Sequence, residues 1–153
     1  MITVQQLKDY ICQKMIQIPE IKSKQIIVDD SELSKFLKEL KKEDSPILIA
    51  VMPAYDIQGT EDRIQWANKL MFMIVHKTAY RDIDHEEYID IFIEIQSICR
   101  TFVELMMEEK QNLEGLFCNQ MAFLNEDSIN IYPVWKKQGC NGWAIEIDVL
   151  TNA

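Results

Sequence analysis

The chain has 153 residues, 48% of them apolar and 27% charged, enough for one domain (1–153) with a sizeable core that needs neither disulfides nor metal. Its net charge of -9 provides no basic face to neutralise phosphates, which argues against a direct grip on nucleic acid. No run approaches the ~18 apolar residues of a membrane-spanning helix, and the first residues lack the basic-then-apolar order of a secretory signal, so a cytoplasmic protein with no membrane partner is expected.

The charge is unevenly spread. Residues 1–83 carry 12 Lys+Arg against 12 Asp+Glu, and residues 84–153 carry 4 against 13. An acidic half keeps a chain in solution, or lets it line a passage without adhering to DNA. Cys12, Cys99, Cys118 and Cys140 are far apart in sequence, and Cys12 and Cys99 sit among helical apolar residues, so reduced thiols are expected. Cys118 reads as buried, and Cys140, in a polar turn, as the exposed one.

In chain order, residues 3–18 predict a helix with Val4, Leu7, Ile11, Met15 and Ile18 along one side, a Thr3 cap answered by Gln6, and Pro19 as the stop. Residues 26–28 read as a very short strand. Asp29, Asp30 and Ser31 cap a second helix over 32–42, with Leu33, Phe36, Leu37 and Leu40 as a narrow stripe and lysines at the end that suits the helix dipole. Residues 46–53, PILIAVMP, form an apolar run between prolines and predict a strand buried on both faces. A loop around Gly59 is expected over 54–62. Residues 63–77 alternate again, with Ile64, Trp66, Leu70, Phe72 and Ile74 on one face and Met71, Met73 and Val75 on the other. That is a long strand, with a bend expected near Asn68.

The dominant element is a helix over about 84–110. Asp84 and Glu87 form a capping box, and Tyr88, Ile91, Phe92, Ile95, Ile98, Cys99, Phe102, Leu105 and Met106 recur at spacings of three and four. Past it, residues 116–124 predict a strand. Residues 129–135 predict another, marked by Pro133 as an edge or bulged strand. KKQGCNG (136–142) reads as a turn, and 143–149 as the last strand. The whole is an α+β fold: a largely antiparallel sheet with N-terminal helices and the long helix packed on it.

No pattern announces a reaction. The four glycines form no phosphate loop, no serine sits in a GxSxG elbow, and there is neither CxxC nor HExxH. His85 reads as an exposed first-turn residue and His76 as a polar strand end. A thiol of Cys118 or Cys140 beside His76 has no support from the pattern. Glu86, Asp90 and Glu94, four apart, read as a solvated face rather than a metal site. No enzyme, cofactor or metal is therefore expected. The long helix does carry a second apolar row, Ile89, Ile93, Val103 and Met107, which points to self-association as a homo-oligomer. The alternative is a cytoplasmic small-ligand-binding or regulatory domain, with a pocket between sheet and long helix lined by Trp66, Phe72, Phe92 and Met106.

The C-terminal pattern adds a resemblance. Ile129-Asn130-Ile131-Tyr132-Pro133-Val134-Trp135, a short polar turn, then Asn141-Gly142-Trp143-Ala144-Ile145-Glu146-Ile147 resembles the close of tail-terminator and head–tail completion proteins of tailed bacteriophages and prophages. The order of elements is also similar to theirs. The resemblance implies a structural, non-enzymatic protein that forms rings capping the tail tube or joining it to the head. Tail-tube or connector proteins would be its partners, in the host cytoplasm or the virion.

Overall fold

Each of the three helices among the described residues starts at a side chain that answers its free backbone donors. The computed structural model describes residues 1–60, 63–112 and 124–152. Helix α1 (Val4–Gln17) begins at Thr3, whose hydroxyl accepts from the Gln6 amide while the Gln6 side chain accepts from the Thr3 amide. Helix α2 (Asp30–Glu39) begins at Asp29, which accepts from the Glu32 amide at 2.8 Å. It stops three residues short of the expected end because Leu40 leaves helical geometry. Helix α3 (His85–Asn112) carries the predicted capping box, Asp84 and Glu87 each accepting from the other's amide at 2.9 Å.

The strands are β1 (Ser23–Ile27), β2 (Ile47–Thr60), β3 (Arg63–Lys77), β4 (Asn130–Lys137) and β5 (Cys140–Asn152), in the spatial order β1-β2-β3-β5-β4. Among the described residues only the β1–β2 pair is parallel; the other pairs are antiparallel, in keeping with an α+β fold. The expected loop over 54–62 is not one as far as Thr60. There β2 continues against β3 as a long hairpin, with Ile57 opposite Trp66 and Gly59 opposite Ile64. Tyr55 and Ile57 alternate with Asp56 and Gln58, a strand period that the glycine and the acidic residues disguise. The bend expected at Asn68 is also misplaced. Asn68 stays in register with Tyr55 and Val149, and the irregularity lies across the ladder between Val51 and Ala54, around Pro53, which has no amide to donate. The strand expected over 116–124 lies outside the described residues except for Leu124, which bridges Val149.

Strand alternation divides the core in two. Leu48, Ala50, Leu70, Phe72, Ile74, Ile145, Ile147 and Val149 face α1 and α3, whereas Ile47, Ile49, Met73, Val75 and Ala144 face α2. Lys77 ties α2 to the sheet, its Nζ donating to the Leu37 carbonyl at the helix end and to that of Gln138 at 2.8 Å.

The turn between β4 and β5 is shorter than KKQGCNG implies. Positive φ falls on Lys136, Gln138 and Gly139, and β5 has already begun at Cys140. Cys140 is therefore not exposed: it lies fully buried beneath α2, with its thiol pushed up to about 11 by that burial. Gly142 sits inside the strand opposite Val75, where a Cβ would lie 2.1 Å from the Ile74 carbonyl oxygen. Its lack of a side chain lets two backbones approach, and it serves no turn.

Asn68 is fully buried and satisfies both ends of its amide. It accepts from the Ile2 amide at 2.7 Å and donates to the Val149 carbonyl at 2.7 Å and to Thr151 Oγ1 at 3.2 Å. It thereby pins the start of α1 to the sheet. Asn68→Leu leaves the Ile2 amide and the Val149 carbonyl facing an apolar group. It is expected to cost about 2–3 kcal/mol in urea unfolding, and a cost under about 0.5 kcal/mol would disprove the pin.

Candidate functional site

Helix α3 buries Ile95, Ile98, Cys99, Phe102 and Met106 along one stripe, which fixes its rotation on the sheet. A file of rings locks its first half: Tyr80 to Tyr88 at 5.9 Å, Tyr88 to Phe92 at 5.3 Å, and Phe92 to Trp143 of β5 at 6.4 Å. Trp143 Nε1 also donates to the Phe92 carbonyl at 3.0 Å. Held in this way over β5, the helix does not reach across to the edge strand β4. The result is a groove of about 700 Å³ between α3 and β4, lined by Ile93, Ser97, Arg100, Val103, Ile131 and Trp143, among others.

Of the expected self-association row, Ile93 and Val103 both line this groove. Ile93 is 58% exposed, and Ile89, one turn before it, is 42% exposed. Val103 and Met107 are half-buried and pack partly against the core. An ideal helix drifts about 20° per heptad relative to a strict seven-residue repeat, so two heptads on the same row has rolled about 40° and faces the sheet differently. Sequence reasoning missed the other wall. Ile131, 42% exposed on β4, forms it, and Trp135, farther along the same strand, is 64% exposed; their alternation alone predicts a strand and no more. The signal was Pro133 between them: a strand marked as an edge has one neighbour fewer to cover it.

The residues expected to line a pocket are dispersed. Phe72 and Met106 are 0% exposed inside the core and offer no surface to a ligand. Phe72 instead meets Phe102 at 5.1 Å and Tyr10 at 5.9 Å. Phe92 belongs to the ring file beside Trp143, and Trp66 stands far along the β2–β3 hairpin opposite Ile57.

The polar groups are engaged in structure. Asn141 is fully buried, accepts from Tyr88 Oη and the Lys136 amide, and donates to Thr78 Oγ1 and Tyr80 Oη. Glu86, Asp90 and Glu94 are all exposed, and among the described residues no group of three or more His, Cys, Asp and Glu is placed to hold a metal ion. Cys140 cannot meet His76. Cys140 pairs with Lys77 in the ladder, so His76, the neighbouring residue, points to the opposite face. Cys99 lies in the core, where burial pushes its thiol up to about 11. Cys118 lies outside the described residues.

The sequence matches no known protein family, and none of the curated proteins is significantly similar to it. The site must therefore be judged on its geometry: an open apolar groove between a helix and an edge strand. Among the described residues no helix is long and apolar enough to cross a membrane.

A half-buried histidine is expected to give the protein a pH dependence. His76 Nδ1 is buried without a hydrogen-bond partner among the described residues, and burial lowers its pKa below the ordinary 6.5, against a partial pull upward from Glu94. The unfolded chain thus takes up the proton at a higher pH than the folded one. Stability should be unaffected above pH ~7 and fall as pH drops through about 6.5. Urea titrations of wild type and His76→Asn between pH ~7.5 and ~5.5 check this, with a shallower decline expected for the variant. Identical slopes would show that His76 titrates alike in both states.

Proposed function

We propose that the chain is a non-enzymatic assembly protein that self-associates through the flank formed by α3 and β4. The observation that carries this reading is the set of exposed apolar side chains Ile89, Ile93, Ile131 and Trp135 on the two elements that flank the groove. Scattered single apolar residues are ordinary on a protein surface; a patch gathered around a groove marks a contact. Pro133 deprives β4 of one backbone donor, and Lys136 and Lys137 follow it, which disfavours strand addition at that edge. Side-chain packing of α3 and β4 against a second copy is the mode that remains. Glu86, Asp90 and Glu94 on the exposed side of α3 confine the contact to the β4 side, because buried unpaired carboxylates would be costly.

The resemblance of residues 129–147 to tail-terminator and head–tail completion proteins supports the same reading and extends it. On that view the protein is a homo-oligomeric assembly component of a phage or prophage. It works in the host cytoplasm or the virion, and its further partners are tail-tube or connector proteins.

The test is solution mass by light scattering after size exclusion, across a wide range of concentration. Wild type should be oligomeric, or should assemble as concentration rises. Ile93→Asp should weaken assembly by at least about tenfold, since it places a carboxylate in an apolar contact. Its thermal stability should stay close to wild type, because Ile93 is 58% exposed in the single chain. A wild type that remains monomeric at every concentration would sink the proposal.

A further inference from the structure

The two faces of the sheet are unequally covered. Among the described residues one carries α1 and α3, of 14 and 28 residues, and the other carries only α2, of 10 residues. At 1.5 Å per residue α2 is about 15 Å long, while a strand of the length of β3 extends about 50 Å. Beyond the part that α2 covers, an uncovered antiparallel sheet would ordinarily turn polar. Here an apolar strip persists beside α2 as far as Val51 and Met71, and Lys69, Glu146 and Asp148 follow on the same face. Two clefts of about 400 and 260 Å³ meet over half-buried Val51 and Met71, with Tyr132, Val134 and Ala144 continuing the floor.

The rim of this trough is acidic. Its two lysines are already neutralised, Lys69 by Asp56 at 2.7 Å and Lys137 by Asp30 at 2.6 Å. Asp29, Glu146 and Asp148 also border the clefts and form no salt bridge among the described residues; Asp29 accepts from the Glu32 amide and Glu146 from Tyr132 Oη. The charge left over is negative.

We propose that this trough docks a cationic amphipathic helix of a partner protein. Strand β3 is paired on both edges, and β5 is too as far as Glu146, so the floor of the trough offers side chains rather than a backbone ladder, which favours a helix over an added strand. Helix α2 shows how a helix lies on this face, and a second one of similar length would complete its layer. The uncompensated carboxylates select lysine or arginine along the flanks of the incoming helix, and a methionine in the floor lets the contact adapt to its apolar side. The trough lies on the face of the sheet opposite α3, so it stands or falls separately from self-association.

The experiment uses the full chain, labelled at its methionine methyl groups, with a synthetic amphipathic peptide of about 12 residues bearing leucines on one face and lysines beside them. Its glutamate counterpart is the control. The lysine peptide should shift the Met71 and Met73 methyl signals and leave that of core Met106 in place. Its affinity should fall with salt and drop about tenfold in Met71→Gln. Asp148→Lys, a milder rim change, should also weaken it and flatten the salt dependence. Three results would overturn the proposal: no binding at millimolar peptide, equal affinity for wild type and both variants, or shifts at Met71 that follow protein concentration without peptide. The last would assign the trough to a second copy of this chain.

Discussion

Lys14→Ala is expected to destabilise the protein by about 3–5 kcal/mol, because it strands a buried carboxylate. The Lys14 side chain is 0% exposed and its Nζ lies 2.9 Å from Glu109 Oε1, bridging α1 to α3 in the only contact of this kind among the described residues. The ammonium also donates to Gln17 Oε1 at 3.1 Å and stands 4.9 Å from the centre of the Tyr10 ring. Burial lowers the pKa of Lys14, and Glu109 pulls it partly back, so the pair holds the charge in place without fully repaying its desolvation. Without the lysine, Glu109 keeps, among the described residues, only Gln13 Nε2 at 3.5 Å, and its buried Oε2 has no partner there. The paired replacement Lys14→Met with Glu109→Leu removes both charges. It should return to within about 1 kcal/mol of wild type, or exceed it. A double-mutant cycle in urea measures the coupling. If Lys14→Ala alone costs under about 1 kcal/mol, the site is wet and the argument fails.

A comparable loss is expected from Phe102→Ala, about 3–5 kcal/mol. Phe102 is 0% exposed and joins three elements: its ring is 5.1 Å from Phe72 of β3 and 6.1 Å from Tyr10 of α1, edge-on to the latter. Removing it opens a cavity at the point where helix, helix and sheet converge, and close-packed neighbours relax only partly into such a space. Phe102→Leu keeps much of the volume and should cost no more than about 2 kcal/mol. The order of the two midpoints in urea is the check. Equal losses would mean that ring geometry rather than volume holds the junction.

Much of this was legible in the residues. The Asp84–Glu87 box, the three-and-four spacing of α3 and the Thr3–Gln6 box are local signals, each complete within four residues or repeated every turn, and each appears in the structure. The strand character of 46–53 and 63–77 followed from their apolar run and alternation, and Pro133 marked β4 as an edge. Half of the candidate site was visible too: Ile89 and Ile93 are exposed where the second apolar row placed them.

What stayed hidden has a common physical origin. Periodicity says that a side chain faces inward, but not what covers it. Lys14 falls at a helical position where a charge reads as solvated, and only a carboxylate 95 residues away makes its burial tolerable. Cys140 looked like part of a turn, and α2 closes over it from the far side of the chain. Phe72 and Met106 looked like walls of a pocket until α1 brought Tyr10 into the space between sheet and helix. Ile131 and Trp135 carry the same alternation as a covered strand, and their exposure depends on α3 being held over β5 by Trp143 and Phe92. The sequence by itself determined the elements, their caps and their inward faces, because those depend on neighbours within a turn or two. The tertiary structure alone decided which face each helix covers and where cover runs out, because that depends on residues far apart in the chain.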